Sequence, residues 1–157
     1  MEEMHMLNQR VPSWMLEKDT IMEKPYAVVL ADSHDLVRRE VKRIIEAMGG
    51  INIAGEARDG MQLLEVLKAT VPDMVIVDIS MPSLRDIEAI RKIRALYADL
   101  KVIFLSIYEN QEYMNYALDN GADGFIFKLN LDLELHPAIT KIRSGEIYVS
   151  PVAAQSW

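Results

Sequence analysis

Four polar side chains each close an apolar run: Asp32 follows YAVVLA, Asp78 ends MVIVD, Ser106 ends KVIFLS and Lys128 ends GFIFK. Runs of this length, rich in β-branched residues, predict strands, so all four residues fall at carboxyl ends of strands. Brought to one crevice, two carboxylates, a hydroxyl and an ammonium define a narrow chemistry. Carboxylates with water and phosphate oxygens suit a hard divalent ion such as Mg²⁺. A lysine and a hydroxyl suit the oxygens of a phosphoryl group. A carboxylate can itself be the nucleophile. The set is that of an aspartyl phosphate held beside Mg²⁺.

Positioning four strand ends at one crevice requires a particular arrangement of elements. The apolar runs at 26–31, 51–57, 74–78, 101–106 and 124–128 are continuous rather than alternating, as in a sheet buried on both faces. Between them lie helically spaced sets: Val37, Val41, Ile44, Ile45 and Met48; Met61, Leu64 and Leu67; Ile87, Ile90 and Ile93. Gly49 and Gly50 close the first helix, Pro72 precedes the third strand, and Asn120 and Gly121 close the fourth helix. A last helix is expected over 131–143, ended by Gly145, with Pro137 placing the start of its regular part near His136. Five strands alternating with five helices mean right-handed crossovers and a parallel sheet covered on both sides. Ligands of such α/β sheets bind outside the carboxyl ends of the strands.

Composition narrows the classes further. A chain of 157 residues, 50% hydrophobic and 26% charged, has room for one ordinary domain with a real core. Its 24 acids against 17 bases give a net charge of -7, which disfavours direct binding to a phosphate backbone. There is no cysteine, which excludes disulfides, thiolate zinc sites and cysteine nucleophiles. MEEMHML is acidic where a secretory signal is basic, and no apolar run reaches membrane-spanning length. A soluble, cytoplasmic protein is expected. Residues 1–24 predict an N-terminal extension, either a loosely docked arm or a short helix from Pro12 with Trp14, Met15, Lys18, Ile21 and Met22 on one face. The domain is expected over 25–145, with 146–157 a C-terminal tail or the start of a linker.

From about Tyr26 to Ser150 the chain resembles the receiver domain of two-component response regulators. PDMVIVDISMP is similar to that family's phosphoacceptor strand with its D-x-x-M-P loop, FLS to its switch hydroxyl and GADGFIFK to its lysine strand. The resemblance implies a flavodoxin-like, doubly wound five-stranded parallel sheet with five helices. It implies that Asp78 accepts a phosphoryl group, that Ser106 hydrogen-bonds that group in the active state and that Lys128 pairs with it. Asp32 and Asp78, with the main-chain carbonyl of Ser80, would hold Mg²⁺, and Phe125 would be the switch aromatic that swings inward as Ser106 moves. The protein would then be a signalling phosphoacceptor rather than an enzyme, self-catalysing only phosphoryl transfer to Asp78 and its hydrolysis. Implied partners are a sensor histidine kinase or phosphotransfer protein, a downstream output protein and a second copy in a homodimer, with no nucleic acid or membrane. AITKIRSGEIYVSP is similar to the end of receivers that carry a C-terminal helix-turn-helix.

The sequence departs from the family at three places: Ser33 stands where a second acid is usual, Asp86 where glycine is common and Asp35 where proline is frequent. The first removes a formal charge from the metal pocket, and it is what supports the alternative of a degenerate receiver acting as a phosphorylation-independent binding module. Two other readings bear on single residues. Asp32 or Ser33 could merely cap the next helix, with His34 in its first turn at the crevice rim. Asp32, Ser33 and His34 also match the start of the D-x-H-x-x-G loop of cobalamin-binding domains, but Val37 takes the place of its glycine, and Asp78 and Lys128 are left without a role. Tyr113 and Tyr116 fit either packing or a partner surface.

Overall fold

A computed structural model of the chain describes residues 24–82 and 87–151. The expected helix carrying Trp14, Met15, Lys18, Ile21 and Met22, the unusual Asp86 and residues 152–157 lie outside them. The chain alternates β1 (Tyr26–Ala31), α1 (Asp35–Met48), β2 (Ile51–Ala57), α2 (Gly60–Thr70), β3 (Met74–Asp78), α3 (Ile87–Leu96), β4 (Lys101–Ser106), α4 (Gln111–Asp119), β5 (Gly124–Phe127), α5 (Leu131–Arg143) and β6 (Tyr148–Val149). The strands form one sheet in the order β2-β1-β3-β4-β5-β6, with every pairing parallel. Among the described residues no helix is long and apolar enough to cross a membrane.

Period-two alternation splits each central strand between two cores. Val29, Ala31, Val75, Val77, Phe104 and Phe125 share one cluster with Leu63 and Leu67 of α2 and Met114 and Ala117 of α4. Val28, Leu30, Met74, Ile76, Ile103 and Ile126 face the other way, against Val41, Ile44 and Ile45 of α1 and Leu135, Ile139 and Ile142 of α5. Each fully buried aliphatic or aromatic side chain stabilises the fold by about 1.5–3 kcal/mol, so both faces are held firmly. This is why β1, β3 and β4 have the bounds that their apolar runs predict.

Four details differ from the sequence-based expectation. β2 lies at the sheet edge, with Asn52 and Glu56 exposed, so it is not buried on both faces. Met61 is 69% exposed and Leu63 takes the core position, because α2 starts at the Asp59 cap, whose carboxylate accepts the Gln62 N–H, and turns its Leu63 and Leu67 face inward. α5 has the expected bounds, Leu131–Arg143, but is helical throughout and runs through Pro137 rather than becoming regular only near His136. A proline inside a helix removes one backbone bond and crowds the carbonyl four residues before it, but here Leu131, Glu134 and Leu135 ahead of it are buried and fix the first turns. The tail contributes a sixth strand beyond position 145: Tyr148 and Val149 pair with Gly124 and Phe125. The Tyr148 hydroxyl and Ser150 Oγ each donate to the buried Glu134 carboxylate at 2.9 Å, tying β6 to α5.

Candidate functional site

Chain direction in the sheet reverses between β1 and β3: from β1 the chain goes to β2 on one side, then to β3 on the other. Asp32 leaves β1 and Asp78 ends β3, so the two acids flank this switch point. Both are enclosed, with side chains 3% and 1% exposed. Lys128 does not end β5 as predicted. It opens a single 3₁₀ turn, Lys128–Asn130, that leads into α5. From there its stem reaches past β4, and Nζ lies 2.7 Å from Asp32 Oδ2 and 3.2 Å from Asp78 Oδ2.

The charges in this pocket do not balance. Two carboxylates share one ammonium, and among the described residues neither Asp32 Oδ2 nor Asp78 Oδ2 receives a hydrogen bond of acceptable geometry. Lys128 meets both oxygens as an ion pair without satisfying either as a directed donor. Two like charges at about 5 Å repel by roughly 3 kcal/mol at an effective dielectric near 20. A buried pair of carboxylates that one ammonium leaves net negative is what a divalent cation relieves, so the donor set fits Mg²⁺.

The other oxygens are held from the flanking loops. Asp78 Oδ1 accepts from the Ser80 N–H at 3.0 Å and from the Ser80 hydroxyl at 2.9 Å. Sequence reasoning named Ser80 for its carbonyl and missed this grip by its side chain. Asp32 Oδ1 accepts the His34 N–H at 2.9 Å, a local turn just ahead of α1, and among the described residues no side chain caps that helix, so Asp32 and Ser33 are not its caps. His34 is the residue before the first turn of α1, not a member of it, and makes no side-chain cap. Its Nδ1 lies 3.0 Å from Asp32 Oδ1. Ser33 beside it is exposed.

Arg38 was also missed. It is buried on α1, where it donates to the Asp32 carbonyl and the Asp35 carboxylate and, through Nε, to Glu56 at 3.1 Å. The guanidinium thereby fixes the loop that carries Asp32. An arginine within the apolar spacing of Val37 and Val41 was the available signal. The hydrogen bond from Arg38, helped by the charge of Arg58, holds the exposed Asp35 carboxyl below its ordinary range.

Ser106 is fully buried, and its hydroxyl stays within its own loop. Oγ accepts the Tyr108 N–H at 3.0 Å and donates to the Tyr108 carbonyl at 3.1 Å. The Tyr108 ring in turn stacks on Tyr113 of α4, with centroids 5.5 Å apart. Both tyrosines are exposed and Tyr116 is half-buried. Phe125 is fully enclosed, edge-on to Phe127 at 5.7 Å. An inward swing is therefore not a motion left to it from this state, because the ring is already inside.

A doubly wound parallel sheet with two acids and a lysine at its switch point is the architecture of a receiver. The chain belongs to the response regulator receiver domain family, whose profile matches residues 28–140. The response regulator UvrY of Escherichia coli O6:H1 is 35% identical over 128 residues, covering 82% of this chain and 59% of that protein. This chain thus spans about three fifths of that relative's length. A two-component response regulator of the LuxR family from Aurantimonas sp. SI85-9A1 superposes with a TM-score of 0.78 at 30% identity, covering 84% of this chain and 94% of the other. The isolated receiver domain of RcsB from Salmonella enterica serovar Typhimurium, solved with the phosphomimetic BeF3⁻, gives 0.78 at 23% identity, over 84% and 98% of the two chains. At that identity the likeness is one of fold.

Proposed function

We propose that this receiver is phosphorylated on Asp78 in a Mg²⁺-dependent reaction and that the modified state alters a protein-binding surface. The observation that carries this reading is the buried pair Asp32 and Asp78, whose Oδ2 atoms share the Lys128 ammonium and, among the described residues, have no other donor. In the forward step an Asp78 oxygen bonds to phosphorus as the P–N bond of a phosphohistidine breaks, and the leaving imidazole keeps the electron pair. Acetyl phosphate would lose acetate in the same way. Ser80 orients the carboxylate through its two donors, and Lys128 stands where negative charge builds on the phosphoryl oxygens. Asp32, Asp78 and the Ser80 carbonyl would hold Mg²⁺, which when bound adds positive charge beside those oxygens. The phosphodonor on this reading is a sensor histidine kinase or phosphotransfer protein, and the recipient of the signal is a downstream output protein.

The route outward runs through Ser106. A phosphoryl group on Asp78 competes with Tyr108 for the Ser106 hydroxyl, and giving up the two Tyr108 bonds frees the loop whose ring packs on Tyr113. The group then biases two arrangements by its own contacts, as a switch requires. The test is intact-mass analysis of wild type and Asp78→Asn after incubation with acetyl phosphate and Mg²⁺. One phosphoryl addition on wild type and none on the variant is expected. Addition to the variant, or none to wild type with any donor, overturns the reading; the second result leaves a phosphorylation-independent binding module.

A further inference from the structure

His34 stands beside the acids in a way the phosphorylation chemistry does not use. Among the described residues, one ligand atom each from Asp32, His34 and Asp78 lie within 4.8 Å of one another. The imidazole is 62% exposed, so it borders solvent on one side and the buried acids on the other. Its backbone is extended, at φ -97° and ψ 115°, and its side chain caps nothing, so the ring can turn without loosening α1. The pocket has an independent demand for a cation, since among the described residues Asp32 Oδ2 and Asp78 Oδ2, on side chains 97% or more buried, have between them only the single Lys128 ammonium at 2.7 and 3.2 Å.

We infer that His34 is a metal ligand and that Asp32, His34 and Asp78 select a divalent first-row transition ion, such as Mn²⁺, over Mg²⁺. This rests on the reading of the acid pocket as a divalent-cation site. A hard ion is held mainly by charge, and Lys128 already cancels one of the two carboxylate charges, while Ser33 brings none. Imidazole nitrogen contributes little to Mg²⁺ but bonds well to borderline transition ions, whose affinity for mixed nitrogen and oxygen sets exceeds that of hard cations. Three protein ligands also leave positions for water and a phosphoryl oxygen, so the inference is compatible with phosphorylation supported by either ion.

The experiment is a Mn²⁺ titration of the full chain followed by electron paramagnetic resonance, with a parallel Mg²⁺ titration by intrinsic fluorescence. Wild type, His34→Ala, His34→Asn and Asp78→Asn are compared; asparagine favours the start of a helix and so guards against a simple loss of local structure. Wild-type protein loaded with Mn²⁺ should show ¹⁴N modulation in the electron spin echo, which both His34 variants lose. These variants should bind Mn²⁺ about tenfold more weakly, equivalent to about 1.4 kcal/mol, with Mg²⁺ affinity changed less than about twofold. Asp78→Asn should weaken both ions, assigning them to this pocket. Absence of ¹⁴N modulation in wild type, or unchanged Mn²⁺ affinity in both His34 variants, overturns the inference while Mg²⁺-dependent labelling of Asp78 stands. If neither ion binds, the inference and the reading of the pocket fall together.

Discussion

At the carboxyl edge of the sheet, Asp32 Oδ2 and Asp78 Oδ2 divide one ammonium between them and, among the described residues, have no other donor. Under α5, Glu134 is also buried, but the Tyr148 hydroxyl donates to one of its oxygens and Ser150 Oγ to the other. Burial together with that acceptor pushes the Tyr148 phenol well above its ordinary value. A buried acid costs free energy unless it is paired, and the two clusters handle that cost differently. Glu134 is complete within the protein and fastens β6 to the domain. The pair at the switch point has one shared ammonium for two carboxylates, the imbalance on which the proposed phosphoryl chemistry rests.

Removing the shared cation should have the largest effect. Lys128→Met leaves two buried carboxylates facing each other and should lower unfolding stability by about 3 kcal/mol in metal-free buffer, with part of the loss recovered as Mg²⁺ is added. Urea denaturation with and without the ion measures both. A variant as stable as wild type would mean that the acids are relieved by some other route, and the contrast with Glu134 would collapse.

Glu134→Ala attacks the other cluster. Two hydroxyls lose their acceptor, at about 2 kcal/mol, and Mg²⁺ should restore none of it. Hydrogen exchange should quicken at the Tyr148 and Ser150 amides, which now bond to the Asp123 and Phe125 carbonyls at 2.9 and 3.0 Å. Unchanged protection there would show that strand pairing, not the acid, holds β6.

Adding charge where the family usually carries it sharpens the picture of the unsatisfied site. Ser33→Asp should tighten Mg²⁺ about five- to thirtyfold, or about 1–2 kcal/mol, once repulsion from Asp32 and Asp78 offsets part of the attraction. Calorimetric titration of the two proteins decides it, and equal affinities would refute the charge argument.

The smallest effect belongs to an exposed acid near the same loop. The Asp35 carboxyl is lowered from its ordinary 3.8 chiefly by the hydrogen bond from Arg38, then by the charge of Arg58. A depressed folded value adds stability that is present above the unfolded pKa and is lost as pH falls through the folded one. Melting temperature followed downward from pH 6 should therefore drop less steeply at the acid end for Asp35→Asn than for wild type. Superimposable profiles would remove Asp35 from the account.

Strand positions were legible because continuous apolar runs report two-sided burial directly, and Asp32, Asp78 and Lys128 were legible as the polar residues that end them. The structure brings those three together. What the sequence did not show depends on geometry between side chains. The grips of Ser80 on Asp78 and of Arg38 on the Asp32 loop need rotamers and loop paths that no spacing encodes. The bounds of α5 were legible, but its regular part was expected only from near His136 because Pro137 weighs heavily in a local reading, whereas the burial of Leu131, Glu134 and Leu135 outweighs what the proline costs. A strand of two residues such as β6 falls below what periodicity can register. Phe125 shows the converse limit: the sequence fitted both a core aromatic and a switch residue, and the structure finds the ring enclosed.

The central claim is that the incomplete pair at the switch point takes a phosphoryl group and passes its presence to a distant surface. Titration of the ¹⁵N-labelled chain with Mg²⁺ and beryllofluoride, a phosphoryl mimic, followed by amide spectra, tests it most directly. The account predicts shifts around Asp78 and Ser106 that extend through Tyr108 to Tyr113 on α4 and to Ile139 on α5. Shifts confined to the neighbourhood of Asp78, or none at all, would contradict it.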